Sequence, residues 1–193
     1  MQKTRLENPF HPVYPAPIGL VVSIDENKKP NVMTASDIVN INLRNPAIIG
    51  ISIARAAHTH SLITKSGQFT INFPTSAILE KVDLVGSCSG RKVADKFEKY
   101  GLTPAKSSEI DAPIIEECPV NLECKVISTA DAGKHTLFIA EVAAMHVHSD
   151  KLGENEEMLI EKMDGILFAE WQYFKIGEKL GDMYFAIGGK RPR

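Results

Sequence analysis

Short aliphatic runs, each followed by turn-forming residues, are the feature that most constrains what this chain can fold into. Residues 18–24, IGLVVSI, place an apolar side chain at every second position and are followed by the turn-type sequence DENKKPN. Residues 47–54, AIIGISIA, carry Ala and Ile at odd positions and mostly small residues at even positions. A period of two is the pattern of a β-strand. Many such strands at short spacing predict a mainly β fold, a β-barrel with inserted helices.

Three segments with helical spacing interrupt the predicted strands: residues 59–67, 76–90 and 90–101. In the first, Thr59 or Ser61 is suited to cap the start of the helix, and Gly67 follows its end. The second half returns to strands, of which residues 135–148, HTLFIAEVAAMHVH, form the longest. The chain has 193 residues and no internal repeat, so we predict a single domain over residues 1–193.

Charge and hydropathy patterns argue against several classes of protein. The formal net charge is −2 and no long basic run occurs, so a nucleic-acid-binding surface has little support. The N-terminal sequence lacks the charged and apolar regions of a signal peptide, and the apolar runs are too short to span a bilayer. We therefore expect a cytoplasmic protein that binds neither nucleic acid nor membrane.

The three cysteines, Cys88, Cys118 and Cys124, do not form a C-x-x-C pair, and their odd number argues against a disulfide framework. Each is interpreted as a small buried hydrophobe. A redox role is the alternative for Cys88, because it lies next to the sequence SGR.

Two histidine pairs were considered as metal ligands. His58 and His60, like His146 and His148, are separated by two positions, so each pair would share one face of a strand. The sequence points to no further ligands that would complete a metal site, and we predict none. His146 and His148 are interpreted as a solvated strand end.

One polar segment stands out after the strand of residues 47–54. The sequence ARAAHTHS follows the aliphatic run directly and leads into the first predicted helix. Free N–H groups at a helix start, together with guanidinium and hydroxyl groups, suit a phosphate group. The side chains that could surround such a phosphate are Arg55, His58, Thr59, His60, Arg91 and Lys96.

The order of motifs along the chain resembles the flavin reductase-like, FMN-binding split-barrel family. NVMTAS at residues 31–36 is followed by IGISIA, by RAAHTH at residues 55–60 and by GQFTIN. SGRKVADKF at residues 89–97, GKHTLFIAEV and ILFAEWQYFKIGEKLG then follow in the same order. The family includes flavoredoxins and an archaeal ferric reductase. The resemblance implies an FMN-binding split barrel that forms a homodimer.

The resemblance also implies an activity. Electrons would pass from NADH or NADPH, as a transient donor, through bound FMN to a small-molecule or protein electron acceptor. One alternative is a non-enzymatic FMN carrier that takes its electrons from a protein partner. Another is a split barrel that binds a different phosphate ligand or none.

Matching motif positions imply a set of cofactor contacts. Asn31, Thr34, Ala35 and Ser36 would contact the flavin. The phosphate would lie at Arg55, Thr59 and His60. The other implied contacts are Ser52, on the small-residue strand face, and Asn72, Ser89, Lys96, Phe97, His135 and Phe168. Many flavoredoxin-like members have Trp three residues after the motif's Thr, where this chain has Asp37, so an aromatic that flanks the ring is absent there. That change bears on acceptor choice and flavin stacking.

Overall fold

The structure is a computed structural model that describes residues 1–7 and 12–189. Most of its regular elements are strands, which confirms the mainly β prediction. In chain order, the strands are β1 (Ala16–Pro17), β2 (Gly19–Ile24), β3 (Pro30–Ala35), β4 (Ile38–Asn42), β5 (Ile48–Ala54), β6 (Gln68–Phe73), β7 (Pro104–Ala105), β8 (Ile114–Ile115), β9 (Val120–Ala132), β10 (His135–Val147), β11 (Ile166–Ala169) and β12 (Gln172–Lys175). The α-helices are α1 (His58–Ser66), α2 (Leu79–Ser87) and α3 (Lys96–Tyr100).

The main sheet has seven strands in the order β3-β2-β6-β9-β10-β5-β4, with every neighbouring pair antiparallel. Its two edge strands, β3 and β4, are consecutive in the chain and are joined by Ser36 and Asp37 alone. Two linking residues keep the ends of these edges within about 11 Å of each other. The sheet must therefore curl round on itself, and Ser36 and Asp37 cross the seam where the barrel remains open.

The barrel interior is filled by alternating residues of the strands. In β5, Ile49, Ile51 and Ile53 point inward, as the odd-position pattern predicted, and pack against buried residues of the other strands. Phe69 and Phe138 lie in the same cluster. Helix α1 contributes Ile63 to this core, so it packs against the barrel interior.

Strand β2 is buried on both faces, which its alternating sequence did not predict. Val21 faces the barrel interior, whereas Leu20 and Val22 lie in a second apolar cluster outside the barrel. That cluster contains Val82 of α2 and Phe97 of α3. Helices α2 and α3 cover the outer face of β2. The residues of β2 that point outward are therefore apolar, like those that point into the barrel.

Helix α3 is shorter than the predicted segment 90–101. It begins at Lys96, and the carboxylate of Asp95 caps it by accepting from the backbone N–H of Glu98 (3.0 Å). The preceding residues form turns in which the N–H groups of Lys92 and Val93 donate to the carbonyl of Ser89.

Among the described residues, no helix has the length and apolarity that a membrane crossing would require.

Two of the three cysteines are buried, as predicted, and all three are free thiols. Burial raises the pKa of the Cys118 and Cys124 thiols above the ordinary value. Cys88 is only half-buried, at the end of α2, and its proximity raises the pKa of the Tyr100 hydroxyl.

A buried carboxylate fixes the loop that precedes β8. Glu123 of β9 is fully buried and accepts hydrogen bonds from the backbone N–H groups of Ser108, Glu109 and Ile110 and from the Ser108 hydroxyl. His146 Nε2 lies 2.6 Å from the same carboxylate, so the prediction of a solvated strand end was wrong for His146. Burial alone would raise the pKa of Glu123, but the bonds from Ser108, His146 and Glu109 lower it to about 2.

We predict that Glu123→Gln lowers the free energy of unfolding by about 3 kcal/mol at pH 7. The amide cannot accept every one of these bonds. The folded-state pKa lies below the ordinary 4.5, so the carboxylate stabilises the fold above pH 4.5 and loses this effect as the pH falls toward 2. The difference between wild type and variant should therefore fall to about half or less at pH 3, as measured by urea denaturation. Glu141→Gln, on the exposed side of β10, should change stability little at either pH. An equal loss in the two variants would contradict the role of Glu123.

Candidate functional site

The turn of residues 55–57 and the first turn of α1 form a corner between β5 and α1, and no side chain caps the helix there. The helix begins at His58, and the preceding Ala57 has no polar side chain that could cap it. The predicted caps are engaged elsewhere, because Ser61 Oγ donates to the carbonyl of His58 and Thr59 Oγ1 accepts from Asn31 Nδ2 (3.0 Å). No acidic residue lies in the first turn. The initial N–H groups of the helix therefore present their partial positive charge to this corner.

Two arginines lie at the same corner. Arg55 begins the turn after β5, where its N–H donates to the carbonyl of Lys134 and its guanidinium pairs with Asp131. Arg91 comes from the loop after α2, and its Nη1 donates to the carbonyl of Ala56 (2.9 Å). Two segments that are distant in sequence thus place guanidinium groups beside the start of one helix. Arg91 was among the residues that the sequence placed around a phosphate, whereas Asp131 was missed.

The loop that carries Arg91 is held tightly against the barrel. A Cβ atom on Gly90 would lie 2.8 Å from the ring of His58 and would collide with the side-chain oxygen of Asn31. Only a residue without a side chain allows this approach. Ser89, predicted to lie near the cofactor, precedes Gly90 directly and is therefore held at the corner.

Lys96 lies buried beneath the corner. Its side chain is almost fully buried, and Nζ donates to the carbonyls of Val32 (3.0 Å) and Val85 (2.8 Å). Burial lowers the pKa of Lys96. The carbonyl of Val85 belongs to the last turn of α2, where the helix dipole is negative and favours a cation.

The corner is electrostatically positive. The pKa of His58 is lowered by burial and by the charges of Arg91 and Lys96. The pKa of His60 is lowered by burial and by Arg55. Each histidine is thus biased toward its neutral form, because further positive charge is unfavourable there. An anion would find complementary charge at this corner.

His58 and His60 do not share a face, because they lie on a helix rather than on a strand. The ring of His58 faces Gly90 in the loop after α2. His60 Nε2 lies 2.9 Å from Thr136 Oγ1, and its ring packs edge-on against Phe138 in the barrel core. In the described part of the chain, no group of three or more His, Cys, Asp or Glu side chains is placed to hold a metal ion.

A cleft opens at the barrel seam. Its volume is about 360 Å³, and its lining includes Ala16, Ser36, Asp37, Ile38, Ser52 and Leu137. The N–H of Ser52 donates to the carbonyl of Asp37 (3.0 Å), which fixes the seam residues against β5. Ser36 and Ser52, both predicted cofactor contacts, meet in this cleft.

The small-residue face of β5 is only partly open. A Cβ on Gly50 would lie 3.1 Å from side-chain atoms of Val39, Ile41 and Leu137. Side chains of the flanking strands therefore lean over Gly50, and the part of this face that lines the cleft is the Ser52 end.

The cleft and the corner lie along one strand. Ser52 lines the cleft, and Arg55 follows three residues later at the corner, a separation of about 10 Å along an extended chain. His135 begins β10 opposite Ala54, between these two places. The arrangement suits an elongated ligand with a flat part at one end and an anionic group at the other.

Other predicted contacts lie further from the cleft. Thr34 Oγ1 donates to the carbonyl of Val82 on α2 (2.6 Å), and Ala35 faces the barrel core. Phe97 is part of the outer apolar cluster. Phe168 of β11 packs against the rings of Trp171 and Tyr173. Their roles as cofactor contacts stay predictions.

Asn72 is occupied by bonds within the protein. Its Nδ2 donates to the carbonyl of Leu20 and to Thr70 Oγ1, each over 2.9 Å. Its Oδ1 accepts from the backbone N–H of Ile115 and from Asn121 Nδ2, also over 2.9 Å. These bonds tie β6 to its neighbours, so Asn72 has a structural role whether or not it also contacts a cofactor.

Comparisons with known proteins identify similar structures and sequences. The flavoredoxin of Desulfovibrio vulgaris (Miyazaki F) superposes with a TM-score of 0.88 and 33% identity, over 96% of this chain and 99% of that chain. An uncharacterised protein of Archaeoglobus fulgidus is 39% identical over 149 residues, which are 77% of this chain and 81% of that protein. A ferric-chelate reductase (NAD(P)H) of the same organism is 28% identical over 109 residues, 54% of this chain and 61% of that protein.

These neighbours confirm the split-barrel fold that the motif order predicted. The flavin reductase like domain matches residues 11–176, most of the chain. That stretch contains the corner, the cleft and the whole seven-stranded sheet. The chain is therefore a member of the flavin reductase-like domain family.

Proposed function

We propose that the protein is an FMN-dependent oxidoreductase that passes electrons from NADH or NADPH to an acceptor. The observation that carries this proposal is the placement of a cationic corner at the end of β5 and of a cleft with mostly uncharged side chains along the same strand. FMN has a phosphate group at one end and a flat ring at the other, and bound FMN would supply the redox chemistry. The family to which the chain belongs supports the choice of a flavin.

Residues of the corner would hold the phosphate. The N–H groups at the start of α1 and the guanidinium groups of Arg55 and Arg91 are the donors that suit its oxygens. Phosphate would have to compete with Asp131 for Arg55, but this ion pair is exposed and therefore weak. The buried side chain of Lys96 adds positive charge beneath the corner.

The cleft would hold the ring. Backbone and hydroxyl groups of Ser36 and Ser52 can orient its polar edge, while Ile38 and Leu137 supply apolar contact. His135, between the cleft and the corner, can contact the connecting chain. The protein's part in the reaction is to fix the flavin in place and to shield it from solvent on the barrel side.

The proposed electron donor and acceptor are supported by similarity to known proteins. The Archaeoglobus relative named as an NAD(P)H-dependent ferric-chelate reductase supports a nicotinamide donor. The flavoredoxin neighbour keeps the alternative of an electron carrier that is reduced by a protein partner. Both versions need the same FMN site, so FMN binding and reduction by nicotinamide are tested separately.

We predict that Arg55→Ala and Arg91→Ala each weaken FMN binding by about tenfold, because each removes a charge-assisted contact to the phosphate. Riboflavin, which has the same ring and no phosphate, should bind wild type and variants equally. Flavin fluorescence titration measures both dissociation constants. Exposed Arg44, in the loop that precedes β5, provides the control Arg44→Ala. Equal losses for FMN and riboflavin would contradict the phosphate assignment.

Mixing the FMN-loaded protein with NADH or NADPH without oxygen separates the enzyme from the carrier. For the enzyme, we expect the visible absorbance of the flavin to bleach within seconds, because the nicotinamide delivers its electrons directly. Stopped-flow absorbance measures the rate, and dithionite provides the fully reduced reference. If neither nicotinamide bleaches a flavin that dithionite reduces, the carrier function is favoured.

We also propose a homodimer and a cytoplasmic location. Val39 and Ile41 of β4 and Leu43, which directly follows it, are largely exposed, with Ile41 at 48% and Leu43 at 76%. Leu43 also lines an apolar groove of about 490 Å³ beside this strand, together with Met145. An apolar edge strand beside such a groove is typical of a surface that is covered by another chain.

Analytical ultracentrifugation should give twice the chain mass of 21.2 kDa. Ile41→Lys should shift the protein toward the monomer, because it places a charge in the proposed interface. Leu84→Lys, at a similarly exposed apolar position on α2, should leave the dimer intact. A monomeric wild type, or dissociation by Leu84→Lys alone, would contradict this interface.

A further inference from the structure

The chain after β12 forms an arm, residues 177–189, that lies beyond the family domain matched by residues 11–176. Among the described residues, the hydrogen bonds and ion pairs of this arm are all internal to it. The N–H of Phe185 donates to the carbonyl of Asp182 (3.1 Å), and Lys179 pairs with the Asp182 carboxylate (2.7 Å). These local bonds give the arm a defined turn without fastening it to the barrel.

The arm presents large apolar side chains to solvent. Leu180 is 98% exposed, Met183 78% and Phe185 73%. A Cβ atom on Gly181 would lie 3.4 Å from the ring of Phe185, so this ring lies over Gly181 and the turn is compact. Three such side chains within six residues form an apolar surface that gains free energy when another surface removes it from water.

The apolar groove beside β4 offers a surface of matching character. The described residues that line it include no charged side chain. Its volume of about 490 Å³ lies in the range of pockets that bind apolar groups, about 300–1,000 Å³. The lining side chains that are most open to solvent, between 42% and 76% exposed, are Leu43, Met145, Met158, Ile160 and Ile176.

The groove and the arm adjoin each other. Ile176, the residue directly before the arm, lines the groove, as does Leu43 beside the exposed strand β4. Within its own chain, Leu180 lines a different cavity with Glu157 and Glu161 and stays almost fully exposed. A second copy that covers β4 and the groove would lie within reach of Leu180, because four residues span about 13 Å when extended.

Charges at the rim of the groove suit the same partner. Met158 and Ile160 line the groove and belong to the sequence EMLIE at residues 157–161, in which an acidic residue stands at each end. The longer stretch of residues 150–164 contains six acidic and two basic residues. The sequence that follows the arm, KRPR at residues 190–193, contains three basic residues. Opposite charges on the rim and after the arm favour their approach.

We propose that the arm of each copy binds in the apolar groove of the other copy, with Leu180 and Met183 as its apolar anchors. This inference rests on the proposed homodimer and names the segment that holds it together. Two identical arms that exchange about a two-fold axis cover both grooves at once. Since the turn of the arm is already formed by its own bonds, binding orders few further groups.

The first test measures the strength of the dimer. Leu180→Asp should raise the dimer dissociation constant at least about thirtyfold, because it places a charge in an apolar groove. Sedimentation velocity over a dilution series measures the constant, and far-UV circular dichroism checks the fold. Leu84→Asp, the same substitution at an exposed position on α2, should change the constant less than about threefold.

The second test identifies the chain to which the arm binds. A Met145→Cys chain is mixed with a ¹⁵N-labelled Leu180→Cys chain, incubated until the subunits exchange, and oxidised. We expect a disulfide-linked pair with twice the mass of 21.2 kDa, one labelled and one unlabelled chain, joined at the two substituted positions. Each variant alone controls for the three native cysteines, and Leu84→Cys in place of Leu180→Cys should give no link.

The outcomes separate this inference from the homodimer itself. If wild type is a monomer, the proposed homodimer is wrong and the inference falls with it. If wild type is a dimer that Leu180→Asp does not weaken, the homodimer stands and the role of the arm is overturned. The exchange is also overturned if no link joins the two chains, or if the double variant Met145→Cys/Leu180→Cys links only within one chain. A weakened dimer together with a link between chains supports the exchange.

Discussion

The two-residue connection between β3 and β4 is the constraint on which the rest of the structure depends. These strands are the opposite edges of a seven-stranded sheet, yet only Ser36 and Asp37 separate them in the chain. The sheet has to curl until its edges nearly meet, and this encloses the aliphatic core. The same two residues lie in the gap between the edges. The cleft is therefore a consequence of how the barrel closes, and Asp37 lines it because the chain must cross there.

The cationic corner depends on a second set of tertiary contacts. The loop after α2 reaches the start of α1 because Gly90 allows close approach and Arg91 bonds to the carbonyl of Ala56. Lys96 is held below it by two carbonyls and has no carboxylate partner among its hydrogen bonds. Placing a cation in this buried position costs free energy, which the two bonds and the dipole of α2 partly offset. The fold therefore keeps positive charge concentrated at the corner, where an anion can use it.

The parts of the structure that follow a local pattern could be predicted from the sequence. The alternation in β5 gave the correct interior face, and the segment ARAAHTHS correctly predicted that a helix starts directly after that strand. The motif order led to the correct family and fold. Prediction from the sequence failed where residues distant in the chain decide the surroundings of a side chain. The bond between Thr59 and Asn31, the burial of Lys96 and the bond between His146 and Glu123 all depend on residues more than ten positions away.

The sequence by itself determined the mainly β class, the inward face of β5 and the concentration of cationic and hydroxyl groups after it, because these depend on spacing within a few residues. Only the tertiary structure decided that Arg91 bonds to the carbonyl of Ala56, next to Arg55, and that Gly50 is covered while Ser52 remains in an open cleft. It also decided that Asp37 is one of the described residues that line the cleft. Such facts depend on which distant segments come into contact, and contact between segments is set by barrel closure and core packing rather than by local periodicity.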